Sequence, residues 1–257
     1  ASDVLVNITV MLLIIIGGIG FLVWDDILKC RLSFKNYSLH SKIVLVTTPV
    51  LLVGGAIGYF VFEQNYTLQG NGIGEQILKS FFASTTMRTA GFNTIDYASM
   101  SPSASLLSDV LMMIGGSPGS TAGGMKITTI ALVFLSMVSM LRGQSDTVIG
   151  KRRVSTILIK QAAVIILVYA VYILAGTMLI CHIEGLPMSN VLFEVISAVC
   201  TVGVTTGITP HLCALSHIIL IILMYGGRIG GFTLMLILGK QNKQPPLRRP
   251  KENILIG

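Results

Sequence analysis

Two threonine-glycine turns, Thr89-Ala90-Gly91-Phe92 and Thr201-Val202-Gly203-Val204, carry the clearest chemical capacity in this chain. Each follows a short apolar stretch, Gln76 to Thr86 and Asn190 to Val199, too short to cross a bilayer as a helix. A helix that stops inside a membrane aims the partial negative charge of its last carbonyls at whatever comes next. Backbone leaving a helix at that depth must be buried in protein or line a watery path, so carbonyls freed there suit a dehydrated cation. An ordinary extracellular loop explains one such turn equally well. A second copy is harder to dismiss: without a gap, Phe193 falls on Phe81, Thr201 on Thr89, Gly203 on Gly91 and Thr206 on Thr94, which is an internal repeat.

A third stretch interrupts the apolar run from Leu106 to Leu141. Gly115-Gly116-Ser117-Pro118-Gly119-Ser120-Thr121-Ala122-Gly123-Gly124 is followed by Met125-Lys126. Glycine costs about 1 kcal/mol and proline about 3 kcal/mol per interior helix position relative to alanine, so the stretch predicts an unwound loop within the membrane, with a kinked helix as the plainer alternative. An ionisable lysine at that depth is by default a functional group. The same residues satisfy the G-x-S-x-G pattern, and His182, His211 and His217 are conceivable bases for an intramembrane serine hydrolase. That chemistry needs a strand before the serine and a helix after it, and it leaves the repeated turns unexplained. Cys30, Cys181, Cys200 and Cys213 show no metal-ligand spacing, and no disulfide is expected among them.

The elements that must position these residues are hydrophobic. With 53% hydrophobic and 11% charged residues and a mean hydropathy of +0.80, the chain reads as a polytopic membrane protein. The net charge of +7 lies in short tracts between apolar runs, a topology pattern that excludes nucleic acid as partner. Crossings are expected at Val4 to Trp24, Ile43 to Phe62, Ile157 to Ile180 and His217 to Leu238, with Gly54 and Gly58 letting a neighbouring helix approach the second. Glu63 to Glu75 and Cys181 to Ser189 are loops without Lys or Arg. Basic tracts at 29–42, 142–160 and 240–251 predict the cytoplasmic side, so both half-helices enter from outside and return there. Lys79, Arg88, Lys126 and Arg228 remain, each beside a turn or in a broken helix. Lys79 and Arg88 equally suit a snorkelling rim. Gly17-Gly18-Ile19-Gly20-Phe21 is echoed by Gly226-Gly227-Arg228-Ile229-Gly230-Gly231-Phe232, which gives three copies of the helix that follows a turn and only two turns.

Met87 to Thr94, Gly115 to Lys126, Thr201-Val202-Gly203 and Gly227-Arg228-Ile229-Gly230, in this order, resemble the Trk/Ktr/HKT potassium transporters. The resemblance covers nearly the whole chain. It implies an all-α pore of helix, pore-loop, helix repeats with re-entrant half-helices, and a filter glycine from each repeat around a potassium pathway. Thr89, Ala90, Gly91, Phe92, Thr201, Val202, Gly203 and Val204 would then form the selectivity filter, with K+ at Thr89, Gly91, Thr201 and Gly203. The gate would comprise Gly115, Gly116, Ser117, Gly119, Ser120, Thr121, Gly123, Gly124 and Lys126, with Arg228 as the pore-facing arginine. Residues 1–28 match the last helix of an incomplete second repeat, 29–141 the third repeat, 142–238 the fourth and 239–257 a cytoplasmic tail. Potassium is the implied cargo, with no organic cofactor. The implied setting is a multi-pass protein of the cell membrane, paired as a homodimer on a cytosolic nucleotide-binding subunit.

Two filters cannot enclose an ion as four do. The chain is therefore expected to continue into further repeats ahead of Ala1, or else to pair with a second copy. A secondary carrier with alternating access is the remaining alternative. Repeats that run the same way across the membrane fit a pore better than an inverted-repeat carrier.

Overall fold

A computed structural model describes residues 3–31, 33–144, 146–149 and 152–229. The far end of the expected last crossing and the tail at 239–257 lie outside the described residues.

The first apolar run is not one straight crossing. Helix α1 (Val4–Ile19) is capped by Asp3, whose Oδ1 accepts from the amides of Leu5 at 3.0 Å and Val6 at 3.2 Å. It ends at Gly20, and α2 (Phe21–Cys30) leaves at 89° to it. Gly20 adopts φ +90°, a conformation L-residues rarely take, and a Cβ there would lie 2.8 Å from the carbonyl oxygen of Pro118. The bend is held from outside. Ser117 N donates to Gly18 O (2.9 Å) and Phe21 N to Gly119 O (3.1 Å). The continuous helix expected over 4–24 therefore gives way to a corner built against the glycine-rich loop.

Helix α3 (Leu39–Glu63) and α7 (Thr156–Glu184) are the two described helices long and apolar enough to cross a membrane, with the bent α1–α2 pair as a third if counted as one span. Ser38 caps α3 by accepting from the Ser41 amide. Glycine does bring neighbours close to α3, but through Gly55 and Gly58. A Cβ on Gly55 would strike Ser84 and Leu111, and one on Gly58 would come within 2.5 Å of Leu107. Gly54, which the spacing singles out, faces open space.

Helix α4 (Ile73–Thr86) has 14 residues, a length of about 21 Å against a hydrocarbon core of about 30 Å, so it cannot span. Its counterpart α8 (Met188–Val199) has 12. The run after the first turn is split as expected into α5 (Pro102–Met113) and α6 (Ile127–Leu141), with Ser101 capping α5 through the Ala104 amide. A two-residue-per-strand hairpin (β1 Val148–Ile149, β2 Arg152–Arg153) leads into α7, and α9 (Ala214–Ile229) ends the described chain. Helix α8 is enclosed by α5, α7 and α9, and Phe193, Val195 and Val199 are completely buried in the core around it.

One device recurs at the ends of the long helices. Glu63, last in α3, accepts from the amide of Ser101 (2.9 Å) just before α5 and from the Thr67 hydroxyl (2.6 Å). Glu184, last in α7, accepts from the amide of Cys213 (2.8 Å) just before α9 and from Ser216 (2.6 Å). Each carboxylate satisfies an amide at the entrance of the returning helix, where helix geometry leaves donors unpaired.

Candidate ion pathway

The two turns repeat in three dimensions. Thr89 (φ +65°) and Thr201 (φ +55°) are two of only three non-glycine residues with positive φ among those described, and Gly91 (+79°) and Gly203 (+90°) follow at the same offset. The alternation is the one the gapless alignment predicts. It reverses the backbone immediately after each short helix ends. A left-handed threonine costs on the order of 1–3 kcal/mol and persists only where the surroundings over-determine it.

Those surroundings are a hydroxyl clamp that sequence reasoning missed. Thr86 Oγ1 accepts from Phe92 N at 2.8 Å and donates to Phe92 O at 2.7 Å. In the second copy Ser197 Oγ accepts from Gly203 N at 3.2 Å and donates to Val204 O at 2.6 Å. The clamp is shifted by one position between copies, which is why aligning the turns does not reveal it. Each hydroxyl comes from the last turn of a half-helix and fixes the extended segment leaving the turn. In contrast, the side-chain oxygens of Thr89 and Thr201 are buried and have no hydrogen-bond partner.

The two turns are also in contact. A Cβ on Gly91 would lie 2.5 Å from Val202 O, and the Cα atom of Gly91 is 4.0 Å from the Cβ position of Gly203. Beneath them lies the glycine-rich loop, closed on itself by Gly115 N donating to Met125 O (2.8 Å) and Ile127 N donating to Gly116 O (3.0 Å). A Cβ at Gly123 would overlap Thr201 Oγ1, and one at Gly124 would be 3.4 Å from the Cys200 side chain. The loop backbone thus packs directly on Cys200 and Thr201, with no side chain of its own at Gly123 and Gly124. Two cations pin the loop: Lys126 Nζ donates to Ala122 O at 2.5 Å and Arg228 Nη1 to Thr121 O at 3.0 Å. A cavity of about 360 Å³ runs along this assembly, lined by Arg88, Thr89, Ala90 and Phe92 above and by Thr121 and Ala122 below, with Gly17 and Gly18 at its side.

Other singled-out residues sit elsewhere. Lys79 pairs with Glu75 at 2.8 Å and donates to Asn71, a rim arrangement. Arg88 is only 7% exposed, and both of its terminal nitrogens lack hydrogen-bond partners among the described residues. The imidazole within reach of Ser117 Oγ is that of His40 at 3.5 Å, not His182, His211 or His217. Among the described hydrogen bonds none joins His40 to a carboxylate, and Ser117 is fully buried in an unwound loop. No nucleophile relay is assembled. Among the described residues no group of three His, Cys, Asp or Glu side chains is placed to hold a metal.

Glu194, another residue that sequence reasoning passed over, organises the segment after the second turn. It is buried on α8 and accepts from Thr205 Oγ1 (2.6 Å), Thr206 N (2.8 Å), Thr206 Oγ1 (3.0 Å) and Thr209 Oγ1 (2.7 Å). Replacing it by alanine leaves several half-buried donors without their acceptor. Glu194→Ala is expected to cost about 3 kcal/mol, read as a lowered unfolding midpoint in detergent, with Glu194→Gln losing less.

Two short helices thus end at turns in mutual contact, with a glycine-rich backbone loop packed against the second turn. The chain belongs to the TrkH family of cation transport proteins, whose sequence pattern matches residues 1–247; members of this family are transporters, not enzymes. It is 36% identical over 263 residues to the potassium/sodium uptake protein NtpJ of Enterococcus hirae, and 35% identical over 258 residues to the Ktr system potassium uptake protein B of Bacillus subtilis. Both alignments take in 100% of this chain and 58% of the relative, so the chain spans somewhat over half the length of these proteins. The crystal structure of the potassium transporter TrkH from Vibrio parahaemolyticus superposes with a TM-score of 0.75 at 17% identity, over 93% of this chain and 53% of that one, a likeness of fold.

Proposed function

We propose that the chain supplies two of the pore repeats of a potassium uptake protein, with residues 29–141 and 142–238 as helix, pore-loop, helix units and 1–28 as the closing helix of a preceding one. The carrying observation is the contact between two turns that share one unusual dihedral sequence, Thr89 to Gly91 against Thr201 to Gly203. Carbonyls of Thr89 to Phe92 and Thr201 to Val204 replace the hydration shell of K+, while the C-terminal ends of α4 and α8 add their negative partial charge. Thr86 and Ser197 hold those carbonyls at a fixed spacing. Gly115 to Gly124, latched by Lys126 and Arg228, is the gate below. The names of the relatives support potassium, and in one case sodium, as cargo.

The rest of the reading follows the relatives and the charge pattern. The protein is a multi-pass protein of the cell membrane with its basic loops and tail in the cytoplasm, and it works as a homodimer with a cytosolic nucleotide-binding subunit. The Ktr system naming of a relative fits a protein with partner subunits. No organic cofactor is needed for carbonyl coordination. Expression of the protein carrying this chain in cells stripped of potassium uptake should restore growth at limiting potassium. Failure to do so with protein present in the membrane, together with its partner subunit, would overturn the reading.

Orientation has its own test. Cys213 is exposed beside the entrance of α9, whereas Cys200, next to the second turn, is fully buried. A membrane-impermeant maleimide added outside intact cells is expected to label Cys213 and spare Cys200. Labelling of Cys213 only after the membrane is opened would invert the topology.

A further inference from the structure

One large concavity lies away from the two turns. A groove of about 940 Å³ lies between α3 and α6, at the upper end of the roughly 300–1,000 Å³ usual for small-molecule sites. Its walls are apolar, and several lining side chains are open to the outside: Val46 is 55% exposed, Val50 64% and Phe134 58%. Helices α3 and α6 form its two sides, so its contents sort by depth. At one end stand Lys35 just before α3, Lys42 in its first turn and Arg152 on the hairpin; at the other stand Ile114 and Ile127, the two residues that flank the glycine-rich loop. From Lys42 to Leu51 the α3 wall rises about 14 Å, or roughly one leaflet of a hydrocarbon core about 30 Å thick.

The charge at the open end is unbalanced. Among the described residues no carboxylate lines the groove. Among the described residues none of Lys35, Lys42 and Arg152 enters an ion pair, although nearby Lys29 and Arg153 are paired with Asp25 and Asp146. Lys42 Nζ donates to the Lys35 carbonyl at 2.8 Å and sits 5.9 Å from the Phe34 ring centroid, which holds the ammonium at the mouth. Three cations over a one-leaflet apolar slot match the two halves of an anionic phospholipid, whereas a helix of a second copy would leave the cations unanswered.

We propose that this groove binds one anionic phospholipid, its phosphate between Lys35, Lys42 and Arg152 and an acyl chain along α3 and α6 down to Ile114 and Ile127. This inference rests on the membrane reading above but not on potassium conduction. The lipid would pack against both anchors of the loop, where Gly115 and Ile127 donate the hydrogen bonds that close it.

Fluorescence quenching tests the site. Trp24 is the one tryptophan of this sequence. In the protein carrying this chain, with its tryptophans replaced by Phe, Val50→Trp places a probe in the groove. The protein is reconstituted in bilayers with equal mole fractions of dibrominated phosphatidylglycerol or dibrominated phosphatidylcholine. Phosphatidylglycerol is expected to quench at least threefold more effectively, and Lys35→Gln with Lys42→Gln and Arg152→Gln should abolish that preference while quenching by phosphatidylcholine persists. Should that triple variant not fold, Arg152→Glu alone, on the exposed hairpin, should at least halve the preference. Equal quenching by the two lipids, a preference unchanged in the variants, or no quenching by either because protein covers the groove would each overturn the proposal. A preserved preference in a protein without potassium selectivity would retire the pore reading and leave the lipid site standing.

Discussion

Gly91→Ser should abolish most of the preference for potassium over sodium, lowering the uptake ratio by tenfold or more, whereas Gly203→Ser should lower it several-fold less. Both glycines occupy the left-handed region, at φ +79° and +90°, so any side chain strains either turn. They differ in what a side chain would meet. At Gly91 the added Cβ lies 2.5 Å from Val202 O, a backbone carbonyl of the other turn that has no room to yield, while at Gly203 the nearest atom is 4.0 Å away. The first substitution displaces a candidate ligand in both turns and the second strains only its own. A change of about 1.4 kcal/mol in relative binding already shifts a ratio tenfold, and moving a coordinating carbonyl by a few tenths of an ångström suffices for that. The measurement is the ratio of rubidium to sodium uptake at equal amounts of folded protein. Equal, small effects for both variants would mean that these turns do not select the ion.

Freeing the glycine-rich loop should raise flux. Five of its ten residues are glycine, so side chains do little to hold it, and its position depends on a few backbone bonds and two cations. Arg228 Nη1 reaches Thr121 O and Lys126 Nζ reaches Ala122 O, and both acceptors fall within Gly119 to Ala122. Deleting those four residues removes both latches together with the Gly119 carbonyl that holds Phe21. Arg228→Ala removes one latch and also a positive charge from the proposed pathway, where Coulomb repulsion of a cation would be stronger than in water. Potassium flux per folded molecule is expected to rise severalfold in both variants and to depend less on the cytosolic subunit. If Arg228 serves only to tie helices together, its removal should lower assembly and leave flux per folded molecule unchanged or reduced. That outcome in both variants would mean that the loop is not the gate.

Much of this arrangement was legible because it rests on local rules. The half-helices are too short to cross a bilayer, and the gapless match of Thr201 to Thr89 lines up the residues that share one dihedral pattern in the fold. Gly115 to Gly124 lacks the composition of a helix and is not one. What stayed hidden depends on partners far away in sequence. The continuous apolar run through Gly20 gives no warning of an 89° corner, because the corner is held by Ser117 N and Gly119 O from another segment. Gly54 and Gly58 have the right spacing, and Gly58 does meet Leu107, but the direction in which α3 meets α4 and α5 selects Gly55 in place of Gly54. Glu63, Glu184 and Glu194 look like loop-end or stray acids in sequence; their donors lie up to 38 residues away. The hydroxyl clamps of Thr86 and Ser197 escape alignment because they occupy non-equivalent positions in the two copies.

The claim on which the rest depends is that an ion sits between the two turns. Crystals of the protein carrying this chain, grown or soaked in rubidium, would show this directly by anomalous scattering at the rubidium edge. The account predicts peaks along the axis bounded by Thr89 to Phe92 and Thr201 to Val204, each within coordinating distance of backbone carbonyls from both segments and weakened when sodium replaces rubidium. Rubidium density elsewhere, with none between those segments, would contradict it.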